Sequence, residues 1–352
     1  MRSEPDQIPQ ALSDKASQIY SPPGSGGVRR LLFPLFVFLA SVVIGRKAET
    51  IYTLQGAEAV VPSILLKLVL GTKWILLAPD VPEGRYSVVK NHVGGEKYSI
   101  RGAYHRLRFE IELFAGEHAD VRVYSDLSGY VDFDKPKNIL LKGGVDCNGV
   151  EEKNECSADN NDPVRIIYVG SMYYHRGIDI VLDAMQQVNH EVELSLVGPT
   201  PDAAARPENF NESLDKPFVQ MVDESQRVEY LGELSHEDVF RELHRADIGL
   251  CLLPYKRGLN NFKYAYPIKI FEYMLTYNAV IATETVPTSD LLDESQLLTE
   301  NSPALLAERI DDISGSETTI QRLKSDNFTR VQDHCWDALK SDLDQELSEL
   351  LT

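Results

Sequence analysis

Runs of apolar, largely β-branched residues at 164–169, 192–197, 228–231, 248–253 and 280–283 alternate with helical patterns, and this alternation leaves few folds open. Strands that are apolar along both faces must be covered on both faces, which implies a parallel sheet with helices above and below it. Between the first two runs, Ile178, Val181, Leu182, Met185 and Val188 recur at helical spacing and supply one apolar face. Ser235-His236-Glu237-Asp238 reads as a helix start with a capping box, and Ser302-Pro303 as an N-cap followed by a first-turn proline.

The first half repeats the theme less regularly. Residues 50–54, 73–78, 120–125 and 138–141 read as strands and 57–70 and 99–116 as helices, with Gly71 placed to cap the first of these. At 352 residues, 43% of them hydrophobic, the chain is long enough for two cores. The polar stretch between Asn148 and Pro163 has linker composition. The expected architecture is α/β, with two Rossmann-like domains facing a cleft. Residues 1–150 form the first, 151–163 the linker, 164–330 the second, and 331–352 a terminal helix crossing back to the first.

A formal charge of −19 is spread along the chain with no single acidic tail, so it reads as a solvating surface and argues against a nucleic-acid partner. Such even acidity suits a cytosol of high salt and points to a halophilic, archaeal source. The four cysteines, Cys147, Cys156, Cys251 and Cys335, lack paired metal-ligand spacing and are expected to be reduced thiols of a cytoplasmic protein. Residues 31–45 are nearly all apolar between Arg29-Arg30 and Arg46-Lys47, but the run is short for a span and contains Pro34. A buried or interfacial helix, with peripheral contact to a membrane, is the expectation.

The chemistry concentrates in residues 267–274, Pro-Ile-Lys-Ile-Phe-Glu-Tyr-Met. Lys269 and Glu272 are three residues apart, hence on one face near a helix start, where backbone N–H groups and the macrodipole favour an anion. Standing alone, such a pair is usually a solvated surface ion pair. In this setting the two residues suit a phosphorylated, hydroxylated ligand.

The order of these pieces resembles the donor-binding domain of the retaining glycosyltransferases of family 4, which have the two-domain GT-B fold. The matching pieces are Tyr168-Val169-Gly170-Ser171, His175-Arg176-Gly177-Ile178-Asp179, Leu196-Val197-Gly198, 228–232, Ala246-Asp247-Ile248 and 267–274. Leu141 to Asp146 is similar to the family's turn before the linker, and Cys335-Trp336 with the amphipathic tail is similar to its terminal helix. The resemblance implies a nucleotide-diphosphate sugar of UDP or GDP type as donor and a glycan or lipid-linked sugar as acceptor, with retention at the anomeric carbon. Gly170, Ser171, Arg176, Tyr264, Lys269 and Glu272 would bind the donor, with Arg176 and Lys269 stabilising the departing diphosphate and Glu272 accepting from the ribose hydroxyls. No metal and no cofactor is implied. Asp80 and His92 are the candidates for the acceptor side, and the donor's own phosphate oxygen would take the acceptor proton.

Several positions depart from the family pattern. Tyr264 stands where the first glutamate of the Glu-x7-Glu motif falls, and Ser171 where a basic residue is usual. Tyr277 and Ala279 replace the usual Gly and Pro, leaving Asn278 for a left-handed cap, and Glu284-Thr285 replaces a glycine pair. At the start the chain is expected to lack one strand-helix unit, with 21–27 resembling a later connection more than the family's glycine loop. Two alternatives stay open: a non-catalytic nucleotide-sugar-binding or partner subunit, suggested by Tyr264 and the short start, and a nucleotide-sugar epimerase of the same fold.

Overall fold

The computed structural model describes residues 50–54, 57–78, 100–125, 137–148, 163–172, 176–200, 222, 225–253, 264 and 266–351. The described parts of 50–124 and 137–140, with 346–351, form one compact unit, and 141–345 form the other. Asp80, His92, residues 21–27, the apolar run at 31–45 and the polar stretch at 149–162, with Cys156, lie outside the described residues. Among the described residues, no helix is long and apolar enough to cross a membrane.

In the first unit a parallel sheet runs in the order β1 (Thr50–Leu54), β2 (Lys73–Ala78), β3 (Val121–Tyr124), β4 (Asn138–Leu140). Helix α1 (Ala57–Leu70) joins β1 to β2, and α2 (Ile100–His118) lies between β2 and β3. Gly71 closes α1 as expected, at φ +66° with its N–H on the Lys67 carbonyl at 2.9 Å. Trp74 is fully buried against Val60, Ala115 and Tyr124, and its backbone N–H donates to Asp120, whose other oxygen accepts from Lys67 at 2.7 Å.

The second unit carries six parallel strands: β5 (Val164–Val169), β6 (Val192–Val197), β7 (Val228–Gly232), β8 (Ile248–Cys251), β9 (Ala279–Thr283) and β10 (Leu297–Leu298). They stand in the order β10-β9-β8-β5-β6-β7, so the chain winds outward in one direction from β5 and then starts again beside it with β8. That is the doubly wound order whose reversal point carries ligands.

Alternation along the strands explains the two cores. Ile166, Tyr168, Leu194, Leu196, Leu250 and Ile281 face α3 (Ile178–Met185) and α7 (Pro303–Ser314), while Ile167, Val197, Cys251, Val280 and Ala282 face the opposite layer. That layer holds α4 (His236–Arg245), α5 (Ile268–Leu275) and α6 (Val286–Leu291). Helix α8 (Glu317–Val331) follows in this unit, and α9 (Trp336–Leu351) begins in it, its residues from 346 on being grouped with the first unit. Beside the N-terminal ends of the central strands, the buried Lys324 ammonium of α8 reaches Asp247 at 2.5 Å, and Asp247 also accepts from the Arg165 backbone N–H. Asp247 thus ties β5, β8 and α8 together, a structural task.

Three local expectations need correction. Ser235 caps α4 by accepting from the Asp238 N–H, but no reciprocal box forms, because the Asp238 carboxylate accepts from the Ser235 hydroxyl instead. Tyr277, and not Asn278, takes the left-handed conformation after α5, at φ 61°. The buried Asn278 amide is occupied elsewhere, donating to the Leu243 carbonyl and to Thr276. Finally, Cys147 and Cys335 form a disulfide with Cα atoms 5.5 Å apart, whereas Cys251 is a buried free thiol.

The disulfide was hidden by a sequence separation of 188, and it belongs to a larger clasp. The Val145 N–H donates to the His334 carbonyl and the Trp336 N–H to the Val145 carbonyl, both at 3.0 Å, while Lys142 pairs with Asp290. Gly143 and Gly144 allow the approach, since a Cβ on them would stand 2.6 Å from Tyr266 and 2.5 Å from Leu339. Composition had given residues 141–148 to the first domain. These contacts are why they group with the second unit. Reduction with dithiothreitol is expected to cost about 2–4 kcal/mol, the usual worth of a native disulfide. Urea melts of the wild type with and without reductant measure it, with Cys147→Ser as the control that reductant should not affect; an unshifted wild type removes the clasp from the stability account.

Candidate functional site

The neighbouring strands β5 and β8 pair over only Ile166↔Ile248 and Ile167↔Gly249, whereas β5 and β6 pair along their whole length. Tyr273, from α5, enters the gap. Its ring lies on Gly249, where a Cβ would come within 2.4 Å of ring carbons, and its hydroxyl stands in for the missing ladder. That oxygen accepts from the Val169 N–H at 3.0 Å and donates to the Leu250 carbonyl at 3.2 Å. A fully buried tyrosine therefore keeps the C-terminal ends of β5 and β8 apart and satisfies both. This is the crevice of the doubly wound sheet.

Gly170 ends β5 at its rim with φ +152°. Directly beside it runs Gly198, at the end of β6, so close that a Cβ there would stand 2.1 Å from the Gly170 carbonyl oxygen. Two strands thus turn out of the sheet with bare backbone, which lets a ligand approach the chain closely.

Helix α5 aims its first turn at this point. Pro267 is its N-cap and makes no side-chain capping bond. The Lys269 ammonium sits over the Tyr168 ring at 4.7 Å from the centroid and 3.3 Å from where a Gly170 Cβ would be. Among the described residues it has no carboxylate within ion-pair distance. The carboxylate of Glu272, one turn on and half-buried, likewise makes no hydrogen bond or ion pair among them. Lys269 and Glu272 are therefore not the surface ion pair that their spacing alone would suggest. Burial pushes the Glu272 carboxyl up from its usual range, against the partial offset of His236 and Lys269.

Other residues reach the same rim through their charge. Burial raises the Cys251 thiol, against the pull of Lys269 and Arg176, so both cations act on the end of β8. Arg176 immediately precedes Gly177, which at φ +80° is the N-cap of α3. Ser171 follows Gly170, half-buried, and Tyr264 lies half-buried in a turn five residues before Lys269. The structure thus brings Gly170, Lys269, Glu272 and Arg176 to one end of one sheet. Sequence reasoning missed Tyr168, His236 and Tyr273. The first and last lie inside the quoted motifs, yet their aromatic character reads as ordinary core until the strand order is known.

Residues 163–315 match the family model of glycosyl transferases group 1. The matched segment runs from the start of β5 through α7 and includes Gly170, Arg176, Lys269 and Glu272. No curated protein matches the chain. Among solved structures, the chain resembles a sucrose-phosphate synthase from Thermosynechococcus elongatus at 16% identity and TM-score 0.61, over 90% of this chain and 78% of that one. It also resembles Anabaena HepE in complex with UDP and glucose at 14% identity and TM-score 0.62, over 97% and 89%. A third likeness is to a glycosyltransferase from Rickettsia africae, at 15% identity and TM-score 0.63, over 97% and 88%. At such identities the likeness is one of fold: α/β with parallel sheets in two Rossmann-like units, as in GT-B glycosyltransferases.

Proposed function

We propose that the chain is a glycosyltransferase that moves a sugar from a nucleotide-diphosphate donor to a glycan or lipid-linked acceptor, with retention and without a metal. The observation that carries this reading is the unpaired Lys269 and Glu272 on one face of α5, set against bare Gly170 at the reversal point of the sheet. Lys269 and Arg176 meet the diphosphate, and the backbone at Gly170 admits it. Glu272 accepts from the ribose hydroxyls, which would relieve the cost of its burial. The matched family model supports transfer of a sugar, and the fold shared with HepE structures holding UDP supports the donor class. Departure of the nucleotide leaves charge on the β-phosphate, and fixed cations stabilise it where it develops.

Tyr264 favours one alternative. With a phenol in place of the first motif carboxylate, the site could hold a nucleotide sugar without transferring it, as a binding or partner subunit does. Calorimetry with UDP and GDP tests what both readings share. Glu272→Ala and Arg176→Ala should each weaken binding by about 1.5–3 kcal/mol, the range for a hydrogen bond to a charged group. Equal affinity in wild type and both variants, with intact circular dichroism, would sink the site. Peripheral contact of residues 31–45 with an anionic, cytoplasmic membrane face, and a high-salt host, belong to the same proposal.

A further inference from the structure

Tyr168 is fully buried on β5, and its hydroxyl has no hydrogen-bond partner among the described residues. Its neighbours in that core layer include Met172, Ile178, Val181 and Leu196, among which phenylalanine would fill the same space without an orphan polar atom. Packing therefore does not account for the oxygen. Its position does. The hydroxyl ends 3.5 Å from the place a Gly170 Cβ would take, and the Lys269 ammonium ends 3.3 Å from the same place. An ammonium and an uncommitted O–H thus border the spot that Gly170 leaves bare, with no acceptor among the described residues to take both. The Tyr168 ring lies beneath that ammonium, 4.7 Å from its centroid, in cation–π contact.

We infer that Tyr168 is a further ligand-binding residue of the anion site: its ring face seats Lys269, and its hydroxyl donates to the anionic oxygen that Lys269 holds above Gly170. The flexible lysine stem lets the ammonium rise from the ring as the oxygen enters. This rests on the nucleotide-diphosphate reading above and adds a residue to it. An acceptor that arrives with the ligand also explains a hydroxyl left unsatisfied in the protein alone, since such groups mark sites where stability is yielded to function.

Tyr168→Phe keeps the ring and removes only the oxygen. Without ligand its melting temperature should equal or exceed that of the wild type, while calorimetric affinity for UDP or GDP should fall about tenfold. Affinity for uridine or guanosine, which lack the diphosphate, should not change. Adding Tyr168→Phe to Lys269→Ala should cost less than its effect alone, because both groups hold one oxygen. A lower melting temperature in Tyr168→Phe overturns the inference, since the hydroxyl would then have a partner inside the protein. Unchanged UDP and GDP affinity in Tyr168→Phe, alongside a loss in Lys269→Ala, overturns it and leaves the donor site standing. Wild-type protein that binds neither nucleotide removes both.

Discussion

Alanine at Gly198 is expected to cost the second unit about 3–5 kcal/mol, the sum of left-handed backbone strain and overpacking in a closed space. The new Cβ would stand 2.1 Å from the Gly170 carbonyl oxygen and 2.7 Å from its carbon, and those are main-chain atoms that cannot swing aside as the end of a side chain would. Both chains are fixed where they meet. The Gly170 N–H donates to the Val197 carbonyl and the Gly198 N–H to the Gly232 carbonyl, each at 2.8 Å. Gly198 itself sits at φ +136°, where alanine is strained whatever the room. For a domain with a typical stability of about 5–15 kcal/mol, such a loss approaches unfolding. Gly71→Ala and Gly232→Ala are the controls: both are left-handed but have nothing within 4 Å, so they should cost only the backbone part, about 1–2 kcal/mol. Urea unfolding followed by circular dichroism compares the three. If Gly198→Ala is no worse than the controls, the strands at the crevice are looser than their hydrogen bonds imply.

The same pair of glycines shows what a sequence can and cannot disclose. Strand and helix order was legible in both halves because apolar periodicity and caps are local: Thr50–Leu54, Ala57–Leu70, Lys73–Ala78 and Val164–Val169 fall where the patterns place them. Lys269 and Glu272 were legible as a shared helix face. Their freedom from each other was not, since it depends on where the α5 start meets β5. Nor could spacing reveal that Tyr273 bridges two strands, that Tyr168 ends beside Gly170, or that Cys147 finds Cys335, because each is a contact between distant segments. The cysteines misled for a further reason. Redox state was inferred from the absence of a pattern, and a single long-range bridge has no pattern to show.

Lys269→Ala should lower kcat for sugar transfer by roughly 10²–10³-fold, the usual loss when one preorganised group facing developing charge is removed. The folded state should lose less than the transition state does. The ammonium makes no ion pair among the described residues, so its removal forfeits only the contact with the Tyr168 ring, worth about 0.5–2 kcal/mol. Stability kept while turnover collapses separates a functional cation from a structural one such as Lys324, whose buried pairing with Asp247 makes its loss a folding defect. Arginine is not expected to rescue, because its planar fork is a different shape over the ring and beside Gly170. Initial rates with UDP- and GDP-sugars, read as kcat and KM separately and alongside thermal melts, provide the measurement. A fall in kcat with a modest change in KM places the cation on the departing diphosphate. A rise in KM alone means that it binds donor and transition state equally and does not assist bond cleavage. Nucleotide binding that depends on Lys269, in a protein whose wild type shows no transfer, would instead favour the binding-subunit reading that Tyr264 suggests.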